Sequence, residues 1–322
     1  MGGTPGGYMH KQVSQEPTEL RALDYTTVAA PIDGLLFNID RDLQRRIAVH
    51  HTAGELVKKR SVEMALMFLR YARIAYNAVR FLTANTPEDP ARKPVYAVII
   101  PNVNRQLIDI LSTLVFMLDD LIPRHNWYER SGYRGMREQY DLYNKTYGND
   151  PLWQPHLTSL AAAIVKSAQV MNISATDQQD PSQIKYWPTP YQMKKKVKTK
   201  SQDFLRYLIT WLWGDTSEQA HFACNGMFTL APYIYGDLLD EKDRERIDNQ
   251  LIHQYHYEQF SRTVILLLAI ATEIDSYFGL NNKTQLLDIW LMFVKQCEIP
   301  GVDSEAKAMY DARYKKMLDP SP

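Results

Sequence analysis

From Val95 to about Leu121 the chain is apolar on almost every side of a helical wheel, with Val103, Leu107, Ile108, Ile110, Leu111, Leu114, Val115, Phe116, Met117 and Leu118. A helix of that kind is stable only where neighbours enclose it, so the segment predicts a bundle of helices around it. Pro101 comes early enough to lie in the first turns or to kink them. Arg105, Asp109 and Ser112 break the pattern at i, i+4 and i+7, which sets them on one narrow stripe. An unpaired buried arginine is costly, so Arg105 needs a carboxylate or a ligand, and Asp109 one turn later is the nearest. Arginine before aspartate is the weaker i,i+4 orientation. That leaves room for a partner from another helix.

The remaining periodicity is also helical. Residues 1–35 lack it and read as a flexible N-terminal tail, with 36–322 as a single domain. A long helix is expected from Asp40 or Asp42 to Leu82, and a second from Glu241 to Phe278, stopped by Gly279. Shorter helices are expected over Asn126–Tyr147, Pro151–Met171, Asn282–Cys297 and Ser304–Leu318. The stretch from Asn172 to Pro190 reads as a loop, because the prolines of Tyr186-Trp-Pro-Thr-Pro190 forbid a regular helix and the aromatics pin it down. Gln192–Trp213 reads as one helix, basic in its first half. Gly214 ends it, and Asp215 or Thr216 caps the next. On that next helix Ser217, His221, Cys224 and Phe228 share a face that Phe228 turns inward. No alternation long enough for a sheet is present. The expected architecture is all-α, a bundle of about eight helices, two of them long.

Composition narrows the function. Lys plus Arg and Asp plus Glu number 37 each, so no global field attracts nucleic acid or an anionic membrane, although local basic patches remain open. The longest apolar run, Val264–Ala271, is far shorter than the roughly 20 residues of a spanning helix. Two cysteines, Cys224 and Cys297, cannot build a disulfide framework or a cysteine zinc site. A reducing, cytoplasmic setting fits them.

Four constellations carry chemistry. Arg105, Asp109, Ser217 and His221 are the favoured catalytic set, and a structural polar clasp between helices is the alternative. Arg45/His50 and Arg46/His51 each make R-x4-H, a spacing that serves metal-independent RNA cleavage through a proton-handling histidine and a charge-stabilising arginine; a solvated helix face explains it equally. Glu218-x-x-His221, with His253, His256 and Glu273, suggests a helical metal-binding protein, but the second E-x-x-H of di-iron bundles is absent and no metal is assigned. Lys194, Lys195, Lys196 and Lys198, following Tyr186, Trp187 and Tyr191, suggest a nucleic-acid-binding surface of stacked bases and neutralised phosphates; a solvated helix face is the alternative. Lysines at a helix start oppose the helix dipole, which favours a bound anion there.

Asn104-Arg105-x3-Asp109, the Tyr186–Pro190 loop and Ser217-x3-His221 together resemble an uncharacterised all-helical family of bacterial domains, distantly similar to the HEPN superfamily, over roughly Tyr96 to Tyr235. That resemblance implies a helical bundle, often a homodimer, acting as a nuclease or toxin-type effector in a defence or stress system. It implies RNA as partner and no cofactor. It carries Arg105, Asp109 and His221 over only as recurrent polar positions; their burial is what suggests His221 as general acid and base and Arg105 as a phosphate binder oriented by Asp109. HEPN ribonucleases carry their R-x4-6-H late in the domain, whereas the pattern here is early. A non-catalytic helical interaction module is the competing expectation.

Overall fold

The computed structural model describes residues 25–49, 56–84, 99–197, 201–214, 216, 240, 242, 253–297 and 304–319. Among them every regular element is helical. In chain order these are α1 (Tyr25–Val49), α2 (Leu56–Ala84), α3 (Ile100–Leu118), α4 (Leu121–Tyr147), α5 (Gln154–Val170), α6 (Ala175–Gln179), α7 (Pro190–Lys196), α8 (Ser201–Tyr207), α9 (His253–Phe278), α10 (Lys283–Gln296), α11 (Glu305–Met309) and α12 (Lys315–Leu318). Two π-helical turns interrupt the pattern. Leu208–Trp213 extends α8, and Tyr310–Tyr314 joins α11 to α12. No helix among the described residues is long and apolar enough to cross a membrane.

The enclosed centre is α9. Val264 through Ala271 are each at most 1% exposed, and this helix packs mainly on α3 and α2. The more one-sided of the pair is α3, which leaves Gln106 exposed. A polar knot ties the two helices. The Asn104 side-chain amide donates to the Gln259 carbonyl (2.9 Å) and to Gln259 Oε1 (3.1 Å), and Thr263 Oγ1 donates to Asn104 Oδ1 (2.7 Å). All three residues are buried. Buried polar groups persist where each finds partners, and this set does. This knot was not anticipated in the sequence; it is separate from the clasp expected of Arg105, Asp109, Ser217 and His221, of which Ser217 and His221 lie outside the described residues. Asn104→Leu is expected to cost about 2 kcal/mol, because it removes the buried amide that donates to Gln259 and the acceptor of the Thr263 hydroxyl. The midpoint of urea unfolding reads this, and an unchanged midpoint would show that the knot fixes no register.

The long helix expected from residue 40 to 82 is a hairpin. Arg70 Nε meets Asp40 Oδ2 at 2.7 Å and Arg80 Nη1 meets Asp33 Oδ2 at 2.9 Å. One rod rising about 1.5 Å per residue would hold Asp33 and Arg80 roughly 70 Å apart. The two hydrogen-bonding Arg70 nitrogens hold the Asp40 carboxyl below its ordinary range. Residues 25–35, expected to belong to the N-terminal tail, are helical: α1 begins at Tyr25 and runs through Pro31. A mid-helix proline costs about 3 kcal/mol, and burial of Val28, Ala29, Ile32, Leu35 and Leu36 on the same helix outweighs it.

The expected Gln192–Trp213 helix is broken too. Thr189 and Gln192 form a reciprocal capping box with Pro190 in the first turn, and Val197 leaves the helix in an extended conformation. Its branched side chain is thereby fully buried. The segment read as a loop also holds α6, capped by Ser174. Between α4 and α5 lies a small second core of Tyr133, Ile164, Ala168, Ile173 and Ile184. It holds the α4–α5 hairpin beside the main body and carries the surface described next.

Candidate functional site

The strap from Ile173 to Thr189 returns across α4 and is held by side chains of that helix. Arg134 Nη1 donates to the carbonyls of Ser182 (3.0 Å) and Ile184 (2.6 Å). Trp127 Nε1 donates to the Lys185 carbonyl at 2.9 Å, and the Trp187 amide donates to Ser131 Oγ at 2.7 Å. Arg130 pairs with Asp177 at 2.6 Å. Trp187 packs edge-on against Phe116, Trp127 and Tyr128, with ring centroids 5.0–5.4 Å apart. The expectation that aromatics pin this loop is met, and Trp127 is the residue on which α4, the strap and the end of α7 converge.

Between them opens a cleft of about 530 Å³ lined by Pro123, Asn126, Trp127, Arg130, Gln183, Ile184, Lys185 and Lys196. Its size is that of a small-ligand site. Three of the lining residues are cationic and none carries a carboxylate. The Lys196 ammonium sits 5.0 Å from the Trp127 ring centroid. Beside the cleft, Lys194 and Lys195 hold their ammonium groups 4.1 and 4.7 Å from the Tyr191 ring. Arg134 stacks 3.7 Å from the Tyr186 ring, and the Tyr186 hydroxyl bonds Glu138 at 2.5 Å. The hydrogen bonds from Tyr186 and Arg134 keep the Glu138 carboxyl below its ordinary range. The result is a row of cations interleaved with aromatic faces.

This geometry retains the lysines and changes the reason for them. Lys194, Lys195 and Lys196 occupy the last turn of α7, where the helix carbonyls favour positive charge. The dipole therefore does not call for an anion. Lys185 and Lys196 meet at the cleft, where the third cation, Arg130, is paired with Asp177. Lys198 lies outside the described residues. Trp127 and Arg130 escaped the sequence reading because they precede the lysine run by some sixty positions. Their i, i+3 spacing on one helix was the available signal.

Of the catalytic set, Ser217 and His221 lie outside the described residues, as do His50 and His51. Arg105 and Asp109 pair with each other. The indole of Trp213 closes over them: its ring centroid is 4.2 Å from the Arg105 guanidinium carbon, and its Nε1 donates to Asp109 Oδ1 at 3.3 Å. The third member of the stripe, Ser112, is fully buried, and its hydroxyl has no hydrogen-bond partner among the described residues. Arg105 Nε is buried and likewise has none among the described residues. No family model, no curated protein and no solved structure matches this chain. The geometry is therefore what bears on its chemistry.

Glu273, suggested above as a metal ligand, is 3% exposed and is gripped by Arg313 through Nε–Oε1 and Nη2–Oε2 at 2.5 and 2.9 Å. Both carboxylate oxygens are thereby used. A bidentate ion pair of this kind leaves the group committed to structure.

Proposed function

We propose that the protein binds single-stranded RNA through the Trp127 cleft. The observation that carries this reading is the placement of the Lys196 ammonium over Trp127 with Lys185 on the same cleft, beside an Arg130 that is paired with Asp177. Proteins that hold single strands combine a basic track for the backbone with aromatic faces on which bases stack. A base takes the exposed part of the indole face, and Lys196 and Lys185 turn to the flanking phosphates. The neighbouring Tyr191 with its two lysines and Tyr186 with Arg134 extend the track to further nucleotides. Such recognition depends on stacking and charge, so it tolerates many sequences.

Fluorescence anisotropy with a labelled oligouridine tests it. Lys185→Ala/Lys196→Ala is expected to weaken binding by at least about tenfold and to flatten the salt dependence by about 0.7 in log–log slope for each lysine. Wild-type protein that binds no oligouridine at low salt, or a double variant that binds as tightly, refutes the proposal.

RNA cleavage by Arg105, Asp109, Ser217 and His221 is the second reading. The pairing of Arg105 with Asp109, as that reading requires, is the observation that favours it. Oligouridine recovered intact from the same incubations would leave binding as the whole activity.

A further inference from the structure

Three arginines, Arg41, Arg45 and Arg46, stand within two turns of one another near the end of α1. A single carboxylate answers two of them. Arg41 Nε lies 3.6 Å and Arg45 Nη1 3.3 Å from the same oxygen, Asp42 Oδ1. Arg46 donates through Nη2 to the Gly279 carbonyl at 3.2 Å, which ties α1 to the turn after α9. In that turn Gly279 and Asn281 both take left-handed backbone, at φ +57° and +66°. The two sides enclose a cavity of about 460 Å³, with residues 41, 42, 45 and 46 on one wall and residues 279–282 on the other. The negative end of α1 accounts for a cation in its last turn, Arg46, but not for Arg41 or Arg45.

We infer that this cavity binds a small phosphate monoester, the dianion of a phosphorylated polyol such as a sugar phosphate. Charge selects the dianion. Three guanidinium groups less one carboxylate leave the lining with a surplus of two positive charges, and a phosphate monoester carries close to two negative ones. Each guanidinium offers five N–H donors in a planar fork that fits phosphate oxygens, and among the described residues each spends no more than one on a protein acceptor. The far wall adds donors independently. Asn282 precedes α10 without capping it. Its amide is used instead on Asp275 Oδ1 (2.9 Å) and the Leu280 carbonyl (3.2 Å). The positive end of a 14-residue helix is therefore left uncapped beside the arginines. Asp275 itself is 3% exposed and is not part of the lining. The shape selects the body of the ligand. The cavity exceeds the size of a bare phosphate, and its lining has no aromatic ring on which a base could stack. Amides and guanidinium groups suit hydroxyls. Arg45 and Arg46 are the arginines of the two R-x4-H patterns, but this role needs neither histidine and no cleavage, and it is independent of RNA binding at the Trp127 cleft.

Isothermal titration calorimetry of the full chain at low salt, with ribose 5-phosphate as probe, is the test. One site per chain is expected, with a Kd of about 1 mM or tighter. Dimethyl phosphate, which carries a single charge, is expected to bind at least about tenfold more weakly. Arg41→Gln/Arg45→Gln is expected to weaken ribose 5-phosphate by at least about tenfold. Its urea midpoint should stay near that of wild type, since both side chains are exposed. Asp42→Asn is expected to tighten binding by about threefold or more, because it removes the one charge that opposes the ligand. Ribose 5-phosphate that fails to bind, a double variant that binds as well as wild type, or no gain from Asp42→Asn overturns the inference. So does UMP that binds more tightly than ribose 5-phosphate to Lys185→Ala/Lys196→Ala, where the Trp127 cleft is disabled, since a base would then be recognised.

Discussion

Arg313→Met is expected to remove about 3–5 kcal/mol of folding stability, the range for breaking one side of a buried ion pair. Arg313 lies in the second π-helical turn. Its Nε and Nη2 close on Glu273 of α9, and its Nη1 reaches Ser201 Oγ at the start of α8 at 3.3 Å. Its guanidinium also lies 5.0 Å from the Phe204 ring. One cation thus joins the C-terminal helices, α8 and the enclosed helix. Methionine approximates the volume and removes the charge. Glu273, 3% exposed, is then left in the core without its cation. Natural domains have only about 5–15 kcal/mol in total, so the loss is visible as a lower urea midpoint. Replacing both partners, Glu273→Gln with Arg313→Met, is expected to recover most of it, because no charge is left stranded. Equal midpoints for wild type and Arg313→Met would show that the pair is solvated and contributes nothing.

The ion pair also marks the limit of what periodicity reveals. The helical class was readable, because core positions such as Leu107, Leu111 and Leu114, or Phe260, Val264 and Leu267, recur at helical spacing. Stops were readable where a residue has a backbone reason to be there. Gly279, at φ +57°, ends α9 in the left-handed region. The hairpin of α1 and α2 was not. Between residues 40 and 82 the only helix breaker is Gly54, and a single internal glycine costs about 1 kcal/mol, too little to decide between one rod and two. Nor were the π turns. Each inserts one residue into the ladder, and at Tyr310–Tyr314 the register shift is what buries both tyrosines while aiming Arg313 at α9.

The candidate site was half legible for the same reason. A run of lysines among aromatics is visible in one dimension, whereas the tryptophan beneath Lys196 comes from a helix folded against it. Arg105 and Asp109 were correctly read as partners. Trp213, their cover, stood in the central stretch without an assigned role, since nothing in the spacing tells that the first π turn brings its indole across α3.

Acid is expected to weaken the fold through His125 by about 3 kcal/mol between pH 6.5 and 4, at 1.36 kcal/mol per unit of pKa displacement. His125 is 1% exposed, and its Nδ1 is 3.6 Å from Glu129 Oε2. Arg60 Nη2 lies at the same distance from that carboxylate oxygen. Burial, and then the Arg60 charge, push the imidazole down to about 4. Unfolding releases it to its ordinary value of 6.5. Between those two values the unfolded chain holds the extra proton, so stability rises with pH across the window and is lost as pH falls through it. Glu129 works in the opposite sense. Burial raises its carboxyl above the ordinary range, so the folded chain takes up that proton first and part of the loss is offset. His125→Gln keeps a polar side chain of similar reach and removes the titration. Urea unfolding at intervals from pH 7.5 to 4.5 is expected to give a steeper acid decline for wild type than for the variant. The His125 Cε1 proton resonance should hold its neutral position until pH approaches 4. Parallel stability curves, or an imidazole that titrates near 6.5 in the native state, would mean that water reaches the side chain and that the α2–α4 contact opens around it.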